Sequence, residues 1–182
     1  PEMLLDSEVP EAREALVRGS RVLVLALSQE KLDHHKPQKP SDIQALALLE
    51  ILDPIREGAA ETLDYLRSQE VGLKIISGDN PVTVSSIAQK AGFADYHSYV
   101  DCSKITDEEL IDMAEETAIF GRVSPHQKKL IIQTLKKAGH TTAMTGDGVN
   151  DILAMKEADC SIAMASGNQA TAQASQVVLL DS

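Results

Sequence analysis

The 182-residue chain carries 17 Lys and Arg against 28 Asp and Glu, a formal charge of −11 at pH 7, which disfavours nucleic acid or an anionic membrane surface as its main partner. Aromatic residues make up 3% and Trp is absent, so base-stacking platforms do not fit. Cys102 and Cys160 lie far apart without metal-ligand spacing, which argues for a reducing compartment, and no apolar run approaches the roughly 20 residues of a membrane-spanning helix.

In chain order, residues 10–18 read as a helix stopped by Gly19, and 21–27 as a strand. A polar loop over 31–42 holds His34 and His35, adjacent residues that do not share a helix or strand face and so do not pair on a metal. An apolar stretch over 45–52 follows. From Asp53 onward helices and strands alternate, the rhythm of βαβ units. The helix 57–69 leads to a strand at 73–76, and Asn80-Pro81 opens a helix that ends near Gly92. Thr106 and Glu109 have capping-box spacing before a helix and a short strand at 118–120. Ser124-Pro125 starts a third helix that runs to Gly139, and strands are expected at 141–145, 161–165 and 177–180.

Three turns in this alternation carry polar chemistry. Gly146 to Asp151 follows a strand and holds two aspartates, an asparagine and two glycines. Its glycines allow a tight bend and close approach to a ligand, and the Asp147 and Asp151 carboxylates are hard donors suited to Mg2+. An Asx-rich turn that caps the next helix is the alternative. Ser77-Gly78-Asp79 follows the strand ending at Ile76, so the Ser77 hydroxyl and the Gly78 N–H can face a phosphate, or simply form an ordinary strand-to-helix turn. Lys128 falls in a first helical turn, where a cation opposes the helix dipole unless an anion sits before it. Its alternative is a solvated surface lysine. Together the three turns supply a hydroxyl, an N–H, a cation and carboxylates, the parts phosphoryl transfer requires.

The order and wording of these loops resemble the cation-transporting P-type ATPases of the haloacid dehalogenase-like superfamily. The match rests on Asp53-Pro-Ile-Arg56, Ile76-Ser-Gly-Asp-Asn-Pro-Val-Thr83, Arg122-Val-Ser-Pro-His-Gln-Lys128, Thr145-Gly-Asp-Gly-Val-Asn-Asp151, Ala158-Asp-Cys-Ser-Ile-Ala-Met164 and Val177-Val-Leu-Leu-Asp181. Pro1-Glu2 and Gly19-Ser-Arg-Val-Leu23 are similar to the end of the nucleotide domain inserted in such pumps. The resemblance implies a Rossmann-like parallel α/β sheet flanked by helices, with an α+β nucleotide-domain remnant over 1–52 and a phosphorylation domain over 53–182. It also implies that Ser77, Gly78, Asp79, Thr145 and Gly146 hold the phosphoryl group and that Lys128 neutralises it. Asp147 would ligate Mg2+, with Asn150 and Asp151 orienting the metal shell and Asp151 a second metal carboxylate. Arg21 would reach the phosphates of ATP, and Asp53 with Arg56 would form a hinge. Two departures stand out: Ser77 occupies a position where Thr is common, and Gln176 replaces an aspartate before the last strand.

The resemblance further implies partners within one pump, namely an actuator domain, the rest of the nucleotide domain and membrane helices. It places this chain as a soluble piece on the cytoplasmic face, not itself touching the bilayer. The chain starts at Pro1, which reads as a piece of something longer. No aspartate in it precedes Lys-Thr-Gly-Thr, the family's phosphorylated motif, or has Asp at plus two as in related soluble phosphatases. The nucleophile strand would lie between the strands ending at Ile76 and Thr145. The expectation is that outside polypeptide supplies it or that its neighbours close up. A free-standing phosphatase of the superfamily and a non-catalytic metal or nucleotide sensor are the competing functions. Lys128→Ala is expected to cost at least one to two orders of magnitude in turnover and to leave thermal stability nearly untouched.

Overall fold

The structure, a computed structural model, describes residues 10–30, 40–52 and 54–180. It divides into two compact units, Pro1–Gln69 with Val82–Ala94, and Glu70–Pro81 with Asp95–Ser182. The expected hinge residue Asp53, the loop histidines His34 and His35, and Pro1, Glu2 and Asp181 lie outside the described residues.

In the first unit, α1 (Pro10–Val17) precedes an antiparallel ribbon of β1 (Arg21–Leu27) and β2 (Gln44–Ile51), with a register shift between Leu25 and Ala26. Alternation along β1 turns Val22 inward against Ala12 and Ala15, and turns Leu23, Leu25 and Leu27 outward. Two further helices follow, α2 (Ala59–Ser68) and α3 (Pro81–Lys90). The apolar stretch at 45–52 is thus largely strand.

The second unit is built from short parallel strands. β3 (Ile75–Ile76), β4 (Tyr99–Asp101) and β5 (Ile119–Gly121) form one sheet in the order β3-β5-β4. β6 (Ala143–Gly146), β7 (Cys160–Met164) and β8 (Val177–Leu179) form another in the order β6-β7-β8. The helices between them are α4 (Asp107–Met113), α5 (Pro125–Lys137), α6 (Ile152–Glu157) and α7 (Gln169–Ala174). β4 and α7 were not anticipated: the first is three residues long and the second six, too short to display a period.

Caps fix where α4 and α5 begin. Thr106 Oγ1 accepts from the Glu109 N–H while the Glu109 carboxylate accepts from the Thr106 N–H, at 3.2 and 2.8 Å. Ser124 and Gln127 repeat the box at 3.2 and 3.0 Å, with Pro125 in the first turn of α5.

The long helix α5 ties the two half-sheets together. Successive residues on a helix point about 100° apart, so Ile131 and Leu135 enter the core of Leu110, Phe120 and Val123, while Ile132 enters the core of Met144, Met155 and Ala163. Ile76, at the end of β3, packs against both cores. The chain is therefore an α/β fold of parallel sheets flanked by helices. β3 bonds to β5 alone and β6 to β7 alone, so among the described residues each is an edge strand and the two have not closed into one sheet.

Candidate phosphate and metal site

The three polar turns sit at the C-terminal ends of β3, β5 and β6, and hydrogen bonds join them in series. The Ser77 hydroxyl accepts from the Asp79 N–H at 3.1 Å, which closes the first turn on itself. Arg122 N–H donates to the Asp79 carbonyl at 2.8 Å and Val123 N–H to the Ser77 carbonyl at 3.0 Å, pinning that turn to the start of α5. Gly78 is exposed, and Ser77 and Asp79 are half-buried.

Lys128 joins the second turn to the third. Its Nζ lies 2.7 Å from Asp151 Oδ1, and the residue is only 8% exposed. The surface-lysine alternative is excluded, and this burial argues against the expectation that Lys128→Ala would leave stability nearly untouched. Removing one partner of a buried pair leaves the other charge without compensation. The other oxygen of Asp151 accepts from the Gly148 N–H at 3.3 Å. Asp151, read from sequence as a second metal carboxylate, thus has both oxygens engaged and anchors Lys128. Gly146 makes this possible, since a Cβ there would stand 2.6 Å from the Asp151 Cβ.

Asp147 and Asn150 remain exposed at the rim, and Thr145 is exposed on β6. Among the described residues no three His, Cys, Asp or Glu side chains gather into a metal-holding group. One exposed carboxylate on a tight turn suits magnesium that keeps most of its waters and shares a phosphate oxygen, and it does not suit a protein-only cage. Asp147 would hold such an ion. Arg21 and Arg56 are exposed and belong to the first unit.

Two features of the site escaped the sequence. The first is the pair Arg122–Asp101, with Arg122 Nη1 3.1 Å from Asp101 Oδ2 and Arg122 at a left-handed φ of 52°. Burial pushes the Asp101 carboxyl up, but hydrogen bonds from Ser103 and the charges of Arg122 and Lys104 outweigh it, so its pKa falls below the ordinary value. Next to it, burial and then the Asp101 charge push the Cys102 thiol up to about 11. A positive φ at Arg122 leaves no mark in a sequence. The second is the loop 165–168, which packs on the backbone of Asp147. Gln176 serves a local contact, its side-chain oxygen accepting from the Ser161 N–H at 3.0 Å.

Parallel strands flanked by helices, with polar turns gathered at the strands' carboxyl ends and a buried lysine-carboxylate pair beside an exposed aspartate, define a Rossmann-like α/β domain. A family model for haloacid dehalogenase-like hydrolases matches residues 3–159, and the chain belongs to that family. Over its full length it is 92% identical to a Streptococcus pneumoniae protein described as "Probable cation-transporting ATPase exp7", of which it covers 23%. It is 42% identical to "Calcium-transporting ATPase CtpE" of Mycolicibacterium smegmatis, again covering all of this chain and 23% of the relative. The fold matches a crystal structure of a zinc-transporting PIB-type ATPase with a TM-score of 0.58 and 22% identity, over 91% of this chain and 21% of that one. The chain thus spans about a quarter of the curated relatives it matches, and no helix among its described residues is long and apolar enough to cross a membrane.

Proposed function

We propose that the chain is the phosphoryl-handling portion of a cation-transporting P-type ATPase, with residues 53–182 as its phosphorylation domain and 1–52 as the end of its nucleotide-binding domain. The observation that carries this reading is the series of bonds running Ser77–Val123, α5, Lys128–Asp151 and Gly148, which holds three turns with phosphate and metal chemistry at the strand ends of one unit. In the proposed site Ser77, Gly78, Asp79, Thr145 and Gly146 receive the phosphoryl group. Lys128, fixed by Asp151, offsets its charge, and Asn150 steadies the rim beside Asp147. A magnesium ion there would neutralise charge on the phosphate oxygens.

The nucleophile comes from a strand of the longer protein, seated between the edges of β3 and β6. Among the described residues β3 and β6 are both edge strands, and a single strand seated between them would find a partner for each of its backbone groups. ATP is the donor, with Arg21 toward its phosphates and Asp53 with Arg56 at the hinge. The remaining nucleotide domain, an actuator domain and membrane helices are the partners, and the chain lies on the cytoplasmic face. Calcium is the first cation to test, since a relative of 42% identity is described as a calcium transporter.

The test uses the full-length protein in membrane vesicles with radiolabelled ATP. It should form an acid-stable, hydroxylamine-sensitive phosphoenzyme, and Asp147→Asn should reduce it at least tenfold, as expected of a charge-stabilising group. A wild-type protein that releases phosphate from small phosphomonoesters and never carries an acyl phosphate would replace the pump with a phosphatase.

A further inference from the structure

We propose that Gly167 and Asn168, on the loop after β7, are positioning residues that fix the backbone of Asp147 and so set its hold on magnesium. The proposal rests on the reading of Asp147 as the metal carboxylate and adds a fourth loop to the three legible in the sequence. The contact is close and specific. A Cβ built on Gly167 would lie 2.6 Å from the Asp147 carbonyl oxygen, 2.9 Å from its Cα and 3.1 Å from its carbonyl carbon. Those atoms are backbone and have nowhere to go. Gly167 is not among the left-handed glycines, so contact and not conformation demands the missing side chain.

The next residue supplies a bond. Asn168 N–H donates to the Asp147 carbonyl at 2.8 Å. The loop that carries both is itself held at each end. Ala165 N–H donates to Leu179 on β8 at 2.9 Å and Gly167 N–H to the Met164 carbonyl at 3.0 Å. Asn168 Oδ1 accepts from the Ala170 N–H at 2.8 Å and opens α7.

Asp147 therefore lies between two enforced approaches, Gly146 against Asp151 on one side and Gly167 on the other. Its carboxylate stays exposed while its backbone is clamped, which is what a lone carboxylate needs to hold a strongly hydrated ion in one direction. Groups that orient a metal ligand are worth about 10- to 100-fold in metal affinity.

Magnesium titration of the 182-residue chain by 15N NMR, read at the Asp147 amide, tests this. Gly167→Ala should raise the dissociation constant about tenfold and speed hydrogen exchange at the Asn168 amide. Asn168→Pro removes the donor at a φ of −73° that proline accepts, and should weaken magnesium to a similar degree; it decides the matter if Gly167→Ala does not fold. Asn168→Ala, which removes the cap and keeps the N–H, should weaken magnesium less than Asn168→Pro does, and Ala163→Gly, in the core of the same strand, should leave the constant unchanged. Wild-type affinity in Gly167→Ala or Asn168→Pro, with binding lost in Asp147→Asn, overturns the positioning role. A loss in Asn168→Ala as large as that in Asn168→Pro overturns it too, since the cap and not the N–H would then be the cause. Wild-type binding in Asp147→Asn overturns instead the metal reading beneath it.

Discussion

The β1–β2 ribbon and the β5 strand are both rich in large apolar residues, yet they treat them oppositely. Leu25 on β1 is 54% exposed, whereas Ile119 and Phe120 on β5 are 0% exposed. β5 has a strand on each side and α5 across its face. Among the described residues the ribbon has α1 on one face only, and Leu23, Leu25 and Leu27 on the other are exposed. Alternating strands must cover one face to be stable, and a ribbon of two strands is marginal without such cover. The core around β5 is thus well covered where the ribbon is not, and the site grows from the covered part.

Core truncation should break this contrast most strongly. Phe120→Ala should lower unfolding free energy by about 3–5 kcal/mol, while Leu25→Ser should stay within about 0.5 kcal/mol. Urea denaturation compares them, and equal losses would mean that the leucine face is covered in solution. Lys128→Met should cost about 3–5 kcal/mol, because it leaves Asp151 buried and unpaired. Adding Asp151→Leu should recover much of that loss, a coupling that a double-mutant cycle measures.

Hydrogen exchange sharpens the comparison without mutation. Amides of β5 should exchange near the global limit and those of β1 and β2 well before it. A smaller effect follows from Asp101, whose pKa lies below the ordinary carboxylate value of about 3.9. Its contribution is fully present above that value and is lost as pH falls through its folded pKa. The stability gap between wild type and Asp101→Asn should therefore narrow below about pH 4. Smallest of all, iodoacetamide at neutral pH should modify Cys160 well before Cys102, which is buried and holds its proton to about 11.

Much of this was legible because local rules and tertiary packing agree. The Thr106–Glu109 and Ser124–Gln127 boxes mark helix starts by spacing alone, and the turns at Ser77 and Gly146 carry glycine and Asx chemistry wherever they occur. What stayed hidden depends on distant partners. For Lys128 the surface alternative stayed open in the sequence because its burial comes from α6 and the turn before it, 23 residues away at Asp151. β4 is three residues long and takes its identity from pairing with β5. Gly167 carries no signal in the sequence, and its role comes only from Asp147, twenty positions earlier, packing on it.

The central claim is that turns from three strand ends make one site for phosphate with magnesium. Titration of the 15N-labelled chain with magnesium and inorganic phosphate together, followed at single residues, tests it most directly. The account predicts that the amides of Ser77, Gly78, Thr145 and Asp147 shift along one common saturation curve in the millimolar range, which corresponds to about 4 kcal/mol of binding free energy, while Val22 on β1 stays still. Separate curves for Ser77 and Asp147, or shifts confined to the β1–β2 ribbon, would contradict it.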